Sequence, residues 1–484
     1  MAKRKRNAEV RNAPVKATKA FALPSPPQDE ADGTDSKVAL AVISPEELEV
    51  TVDTLQTLAA NSAVIKSKIC KGVRAAVYDF RQACTVGVNA TGAAGLTARI
   101  SAALADGKYT DALVALAEIR IRGETPKLGA LCRWVRDLDV VSGLSMRTEG
   151  VSKVVAPRSA KDKELLKVLD AVLRATGPVD DNSEDMHRSS EPIALQKAWD
   201  MHSPDRTRCD ILKAVAEKTI FQSNPPDIKG RFSILETTPG AQRKPPNLHP
   251  AVLYLSRDDA VLLNEPPETT CHKHPTVPNL RLIKDVLSHG ECTSIIAAAE
   301  SMEFIPDAPI RDEGEETSVL AHNFYWMIDS AFHDKLWDRV KHYVPESSNG
   351  RTVRGINRRF RVYRYVPGAE YRCHIDGAWP PSGIDPVTKA YQYDSSPSAA
   401  RQSSLFTFLI YLNDDFEGGE TTFFIPSVRE GTMNAYPVVP VMGSVAVFPH
   451  GEAQGALLHE GTGVTKGAKY IIRTDVEYDV DPSI

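Results

Sequence analysis

Apolar residues recur at helical spacing through most of the first half of the chain. Ser44-Pro45-Glu46-Glu47 sets an N-cap, a proline at the first helical position and a glutamate at the third ahead of such a run, so a helix begins there. The same period predicts helices over residues 64–84, 96–105, 110–122, 128–138 and 162–175, with few β-rich runs between them. This half is read as all-α. Beyond Val277 the period changes: a capping box at Ser288 to Glu291 introduces a helix over 292–300, and a second follows near 332–343. Short segments at 360–365, 405–412, 421–425, 438–441, 444–448 and 469–478, separated by Gly, Pro and Asn, then predict the antiparallel strands of a jelly roll.

Composition shifts mark the boundaries. Residues 1–40 mix the cations Lys3, Arg4, Lys5 and Arg6 with Pro, Ser and Asp and are read as a disordered basic tail. Residues 41–220 form the helical domain, and 276–484 the β-rich one. Between them 221–275, with Pro225-Pro226, Pro245-Pro246 and Pro266-Pro267, is read as a Pro-rich linker. Two or three domains suit 484 residues. Lys plus Arg total 58 against 63 Asp plus Glu, a net charge of −5, which excludes a wholly basic nucleic-acid binder. The seven cysteines are odd in number and show no Cys-x-x-Cys, arguing against a disulfide framework or thiolate zinc site and for a reducing compartment. Neither a signal-peptide pattern nor an apolar run of about 18 residues is present, so the chain is expected to be intracellular, with no membrane partner. Lys3 to Arg6 suits a nuclear-localisation signal, which leaves nucleus or cytoplasm open.

The chemistry concentrates in the β-rich half. His374 and Asp376 stand two apart in an extended segment and share a face, so an imidazole nitrogen and a carboxylate oxygen can converge on one cation. His459 is the candidate third ligand, and two His with one carboxylate leave open positions suited to non-haem Fe(II). Lys469 and Arg473 share a face by strand alternation, and either could meet an anionic cosubstrate inside the barrel. His450 is a decoy nine residues before His459. Cys271-His272-Lys273-His274 lacks a partner cluster and is read as a solvated loop. The connection 379–404 is long enough to act as a lid over substrate. Arg351, Arg354, Arg358, Arg359, Arg361 and Arg364 raise a polyanionic partner, yet alternation spreads them over two faces.

With these residues in view, roughly 277–478 resembles the 2-oxoglutarate- and Fe(II)-dependent dioxygenases of the prolyl 4-hydroxylase catalytic-domain type. His374, Asp376 and His459 match the family's metal triad, Lys469 the lysine that pairs with the distal carboxylate of 2-oxoglutarate, and Tyr365 the tyrosine that hydrogen-bonds it. Tyr411-Leu412-Asn413 and Gly418-Gly419-Glu420-Thr421 look like further family motifs. The interval from His459 to Lys469 favours His459 over His450, while Arg473 sits where relatives with an arginine anchor place it. The resemblance implies a multidomain chain: an all-α N-terminal half plus a C-terminal double-stranded β-helix (jelly roll) with flanking helices. It implies Fe(II), 2-oxoglutarate and O2, leaves ascorbate open as a further cofactor, and implies hydroxylation of a protein side chain, prolyl by resemblance, with succinate and CO2 as co-products. Two alternatives stand beside it. A nucleobase oxygenase would share the triad but not the ending at 469–478. A non-catalytic helical adaptor with RNA binding is suggested by the hairpin at 106–126, which resembles one pentatricopeptide unit without a second copy.

Overall fold

The computed structural model describes residues 44–86, 95–143, 159–180, 192–204, 210–240, 249–264, 268–302, 304–305 and 321–480. The tail expected over 1–40 lies outside them. Ser44 caps α1 (Pro45–Ala60) reciprocally: its hydroxyl accepts from Glu47 N–H, and the Glu47 carboxylate accepts from Ser44 N–H. Where one helix is expected over 64–84, the chain forms α2 (Ser62–Ile65) and α3 (Lys71–Val86) with a turn between them. The Arg74 guanidinium donates to the Ile65 and Ser67 carbonyls, supplying partners to groups that the break leaves without a helical donor.

Helices α4 (Leu96–Ala105), α5 (Tyr109–Arg122), α6 (Leu128–Asp137) and α7 (Ala160–Thr176) follow. Gly123, at φ 65°, ends α5 in the left-handed conformation that a Cβ disfavours. Ile100, Leu116, Leu131, Trp134, Leu169 and Val172 turn inward, but this core does not close on itself: it continues into Cys373, Ile375, Phe424, Met433, Ala435 and Leu458 of the β-rich half. The helices therefore cover the outside of a sheet. No helix among the described residues is long and apolar enough to cross a membrane.

The strands are β1 (Ile193–Leu195), β2 (Phe232–Thr238), β3 (Ala251–Ser256), β4 (Thr270–Lys273), β5 (Arg281–Lys284), β6 (His322–Met327), β7 (Ser347–Ser348), β8 (Arg351–Ile356), β9 (Arg359–Tyr365) and β10 (Tyr371–His374). After them come β11 (Gly383–Ile384), β12 (Tyr391–Gln392), β13 (Gln402–Tyr411), β14 (Glu417–Gly418), β15 (Thr421–Pro426), β16 (Met433–Val438), β17 (Val445–Pro449), β18 (Leu458–Gly461), β19 (Val464–Lys466) and β20 (Lys469–Asp479). A large sheet runs β2-β3-β6-β9-β20-β13-β17-β5-β4, with β8 joined to β20 and β7 to β8. A smaller one runs β1-β16-β15-β18-β10. Tyr363, Tyr365, Tyr411, Phe448 and Ile471 from the first meet Phe423, Ile425, Tyr436 and Val438 from the second in one buried layer, so the sheets face each other as the two layers of a jelly roll do. Helices His289–Ser301 and Ser330–Val340 pack on the outer face of the large sheet.

Three expectations need correction. The stretch read as a linker carries β2, β3 and β4, all in the large sheet. Of the proline pairs named above, Pro225-Pro226 lies within the described residues, in the connection ahead of β2. Thr270 to Lys273 is accordingly an edge strand, and His274 is buried against Trp199 and Tyr436 rather than solvated. The strand expected at 438–441 lies earlier, at Met433–Val438; Pro437 disguises it, although its carbonyl still accepts from Trp199 N–H at 2.8 Å.

Trp134 is 2% exposed and its indole N–H donates to Ser101 Oγ at 3.0 Å. Trp134→Ala should lower unfolding stability by about 3–5 kcal/mol, read from the denaturant midpoint of the full chain, because the cavity opens where the helices meet the sheet.

Candidate metal centre

His374 closes β10 and lies directly opposite His459 on β18. The pairing brings the two rings to 4.3 Å between centroids, although the residues are far apart in sequence. Asp376, two positions on, returns to the same face. One ligand atom from each of His374, Asp376 and His459 lies within 4.8 Å of the others, with His374 Nε2 3.4 Å and His459 Nε2 3.6 Å from the carboxylate.

The hydrogen bonds decide which nitrogens face the centre. His374 Nδ1 is 2.7 Å from the Arg372 carbonyl, and His459 Nδ1 is 3.1 Å from the Leu457 carbonyl. A carbonyl only accepts, so both Nδ1 atoms carry the proton and both Nε2 lone pairs point inward. Burial, with the His374 imidazole beside it, pushes His459 down to about 3, so its ring is neutral at neutral pH. Burial pushes the Asp376 carboxyl up, but the Arg473 guanidinium and the two imidazoles outweigh it and hold the group well below the usual carboxylate range. Two inward-facing imidazole nitrogens and one ionised oxygen on a single side fit a facial Fe(II) site. Phe448, 4.7 Å from the His459 ring, and Phe423, at 5.7 Å, fix that imidazole from behind.

His450 does not join this set. Its Nδ1 meets Thr407 Oγ1 at 2.9 Å, its Nε2 meets Ser404 Oγ at 3.0 Å, and Thr407 Oγ1 donates to Asp376 Oδ2 at 2.7 Å. Trp379 N–H donates to Ser404 Oγ at 2.9 Å. The directions are consistent only if each hydroxyl accepts once and donates once, giving a chain from the loop after β10 through a neutral His450 to the carboxylate. Burial pushes His450 down to about 3, in keeping with that role. Sequence reasoning singled out His450 only as a rival ligand and missed Ser404 and Thr407; scattered hydroxyls in a strand carry no pattern that would reveal them.

Lys469 opens β20 opposite Tyr365. Its ammonium is buried, donates to the Gly419 carbonyl at 2.6 Å, and lies 5.5 and 5.7 Å from the Tyr365 and Tyr411 ring centroids. Burial pushes it down to about 8, partly offset by Glu420. Gly419 makes room for it: at φ 73°, an added Cβ would lie 2.9 Å from the Phe416 ring and 3.2 Å from Lys469 Cδ. Arg473 shares the face but serves another place, 3.3 Å from Asp376 and 3.1 Å from Asp475. The two cations thus take different partners. Most of the arginine-rich stretch is paired: Arg351 with Glu452, Arg354 with Asp479 and Arg364 with Glu300, while Arg358 donates to the Ile328 carbonyl. Arg359 stacks on Tyr325 and Trp379, and Arg361 on Tyr325 and Tyr363.

Residues 360–474 match the family model of the 2OG-Fe(II) oxygenase superfamily. That stretch runs from β9 through Arg473, so the chain carries a 2OG-Fe(II) oxygenase domain and is an oxygenase enzyme. The matched family implies Fe(II), 2-oxoglutarate and O2. No curated protein matches the chain. Among solved structures it is similar to the viral collagen prolyl hydroxylase vCPH of Paramecium Bursaria Chlorella virus-1, at 20% identity over 42% of this chain and 97% of that one, with TM-score 0.27. A Pseudomonas putida prolyl-4-hydroxylase is 16% identical over 42% and 91%, with TM-score 0.25. A Trichoplax adhaerens prolyl hydroxylase, in complex with a hypoxia inducible factor oxygen degradation domain peptide fragment, is 14% identical over 42% and 84%, with TM-score 0.27.

The geometry separates the two histidines that compete in sequence. Mn(II) binding followed by electron paramagnetic resonance should be lost in His459→Ala, whereas His450→Asn should keep a single site weakened by about tenfold, the usual effect of removing an outer partner.

Proposed function

We propose that the chain is an Fe(II)- and 2-oxoglutarate-dependent dioxygenase whose barrel is a double-stranded β-helix and whose substrate is a protein side chain, with prolyl the target by family resemblance. One observation carries the reading: two inward-facing imidazole nitrogens and an ionised carboxylate share an interior with a buried lysine beside Tyr365. His374, Asp376 and His459 would hold the metal. Bound there, Fe(II) with 2-oxoglutarate and O2 supplies oxidative decarboxylation to succinate and CO2, coupled to hydroxylation of a C–H bond.

The chain's own residues do the positioning. Lys469 exchanges its Gly419 carbonyl for the distal carboxylate of 2-oxoglutarate, and burial strengthens that ion pair relative to water. Tyr365 supplies a hydroxyl at the same end. Arg473 shields the charge of Asp376 and keeps the carboxylate ionised. The connection 379–404 acts as a lid: its base is tied through Trp379 N–H to Ser404, through Ser382 N–H to Asn357 and through the Pro380 carbonyl to Asn357, while Val387 near its tip is 86% exposed. The ion pairs that occupy Arg351, Arg354 and Arg364 speak for a protein substrate over a nucleic acid.

Protein loaded anaerobically with Fe(II) and 2-oxoglutarate, with ascorbate in the buffer, should release succinate when O2 is admitted, and His374→Ala should release none; equal succinate from both would reject the reading. Lys469→Met should raise the KM for 2-oxoglutarate by roughly tenfold or more, the cost of leaving a carboxylate without its charged partner. Lys469 is cationic below about pH 8 and neutral above it. Titration calorimetry should therefore find 2-oxoglutarate affinity falling as pH rises through that value, and the fall should be absent from Lys469→Met.

A further inference from the structure

The strands that bear the three candidate ligands are held from outside by the helical half. Strand β10 is the edge of the small sheet, and its pairing with β18 is irregular: Tyr371 meets Gly461 and His374 meets His459, with a register shift between. In an extended segment the backbone groups of alternate residues face opposite edges, so those of Cys373 and Ile375 turn away from β18. The segment 128–143 receives them. Ser142 Oγ accepts from Cys373 N–H at 2.8 Å, and Cys132 Sγ on α6 lies 3.4 Å from the Ile375 carbonyl.

A tight hook after α6 sets this geometry. Asp139 accepts from the N–H groups of Val141 and Ser142 and from the Ser142 hydroxyl at 2.6 Å, leaving the hydroxyl oxygen to accept from the strand. The same carboxylate takes Arg372 at 3.0 Å. Next along the hook, Gly143 N–H donates to Glu460 Oε2 at 2.8 Å. The residues so gripped are Arg372, Cys373, Ile375 and Glu460. They are the chain neighbours of His374, Asp376 and His459, and the Cys373 and Ile375 side chains are buried in the core shared with the helices.

We infer that the hook at residues 139–143, with Cys132, is a positioning element for the metal ligands, so that docking of the helical half sets the affinity of the barrel for a divalent cation. The inference rests on the dioxygenase reading of the triad. None of these residues reaches the centre itself. They act by fixing the chain on both sides of His374 and on one side each of Asp376 and His459, where a shift of a fraction of an ångström would misplace a donor atom.

The test uses the full chain and Mn(II) alone, with dissociation constants from electron paramagnetic resonance. The double variant Asp139→Asn/Ser142→Ala should bind about tenfold more weakly than the parent, as loss of outer partners does. Ser142→Thr, which keeps the hydroxyl, should bind as the parent does. Leu116→Ala, which loosens the helical core away from the hook, should lower thermal stability and leave affinity unchanged. If the double variant does not fold, Ser142→Ala alone carries the test and should bind several-fold more weakly. Parent-like affinity in the hook variants, or equal weakening in Leu116→Ala, overturns the inference while leaving the metal site intact. A parent protein that takes up no Mn(II) instead overturns the dioxygenase reading, and the positioning role with it.

Discussion

Pairing of β10 with β18 is the constraint on which the rest depends. A divalent cation needs several donor atoms within a few ångströms of one point, and no short stretch of this chain contains them. The antiparallel register that sets His374 opposite His459 satisfies that need, and strand alternation then returns Asp376 to the same face. A slip of one residue in either strand would turn an imidazole into the core shared with the helices. Much of the surrounding architecture opposes such a slip. Phe423 and Phe448 wall in His459, Cys373 and Ile375 are buried on the opposite side, and the large sheet supplies Lys469 and Arg473 from one strand.

Placing so many ionisable groups in a barrel interior is costly unless each is partnered. Asp376 is surrounded by Arg473, Thr407 and the two imidazoles, and this surplus of positive and donor groups keeps it ionised. Asp475 shows the opposite balance: burial pushes it up to about 7, although Arg473 lies 3.1 Å away. Lys469 has one backbone carbonyl as its hydrogen-bond partner and two aromatic rings nearby. A cation held this sparingly, near the end of its ordinary titration range, is suited to accept an anion. The same sheet therefore carries two cations with different partners, one beside the Asp376 carboxylate and one beside a backbone carbonyl and two aromatic rings.

The fold was legible in sequence to different depths. Capping boxes at Ser44 and Ser288 mark helix starts where the structure has them, because a cap is a local hydrogen-bond arrangement written in adjacent residues. Strands with continuous apolar runs, such as Gln402–Tyr411 and Val445–Pro449, stand out for the same reason. Strands β2 to β4 and β16 were hidden by prolines, since a proline signals a break unless the neighbouring strand is known. The grouping of His374, Asp376, His459, Lys469 and Tyr365 was readable through spacing and family likeness, whereas Ser404, Thr407 and the Asp139-Val140-Val141-Ser142-Gly143 hook carry no motif.

What the sequence determined by itself is therefore chemical and local: which side chains can ligate or pair with an anion, which segments prefer helix or strand, and which residues share a face. Tertiary structure alone decided which distant strands became neighbours. It tied His450 through Thr407 to Asp376 and left it outside the His374, Asp376 and His459 cluster, set Arg473 beside Asp376 and Lys469 beside Gly419, and laid the helical half against the backs of β10 and β18. The physical reason is one of range. Propensity and alternation act over a few residues, but register between remote strands and the burial of one face against another are settled only when the whole chain has packed.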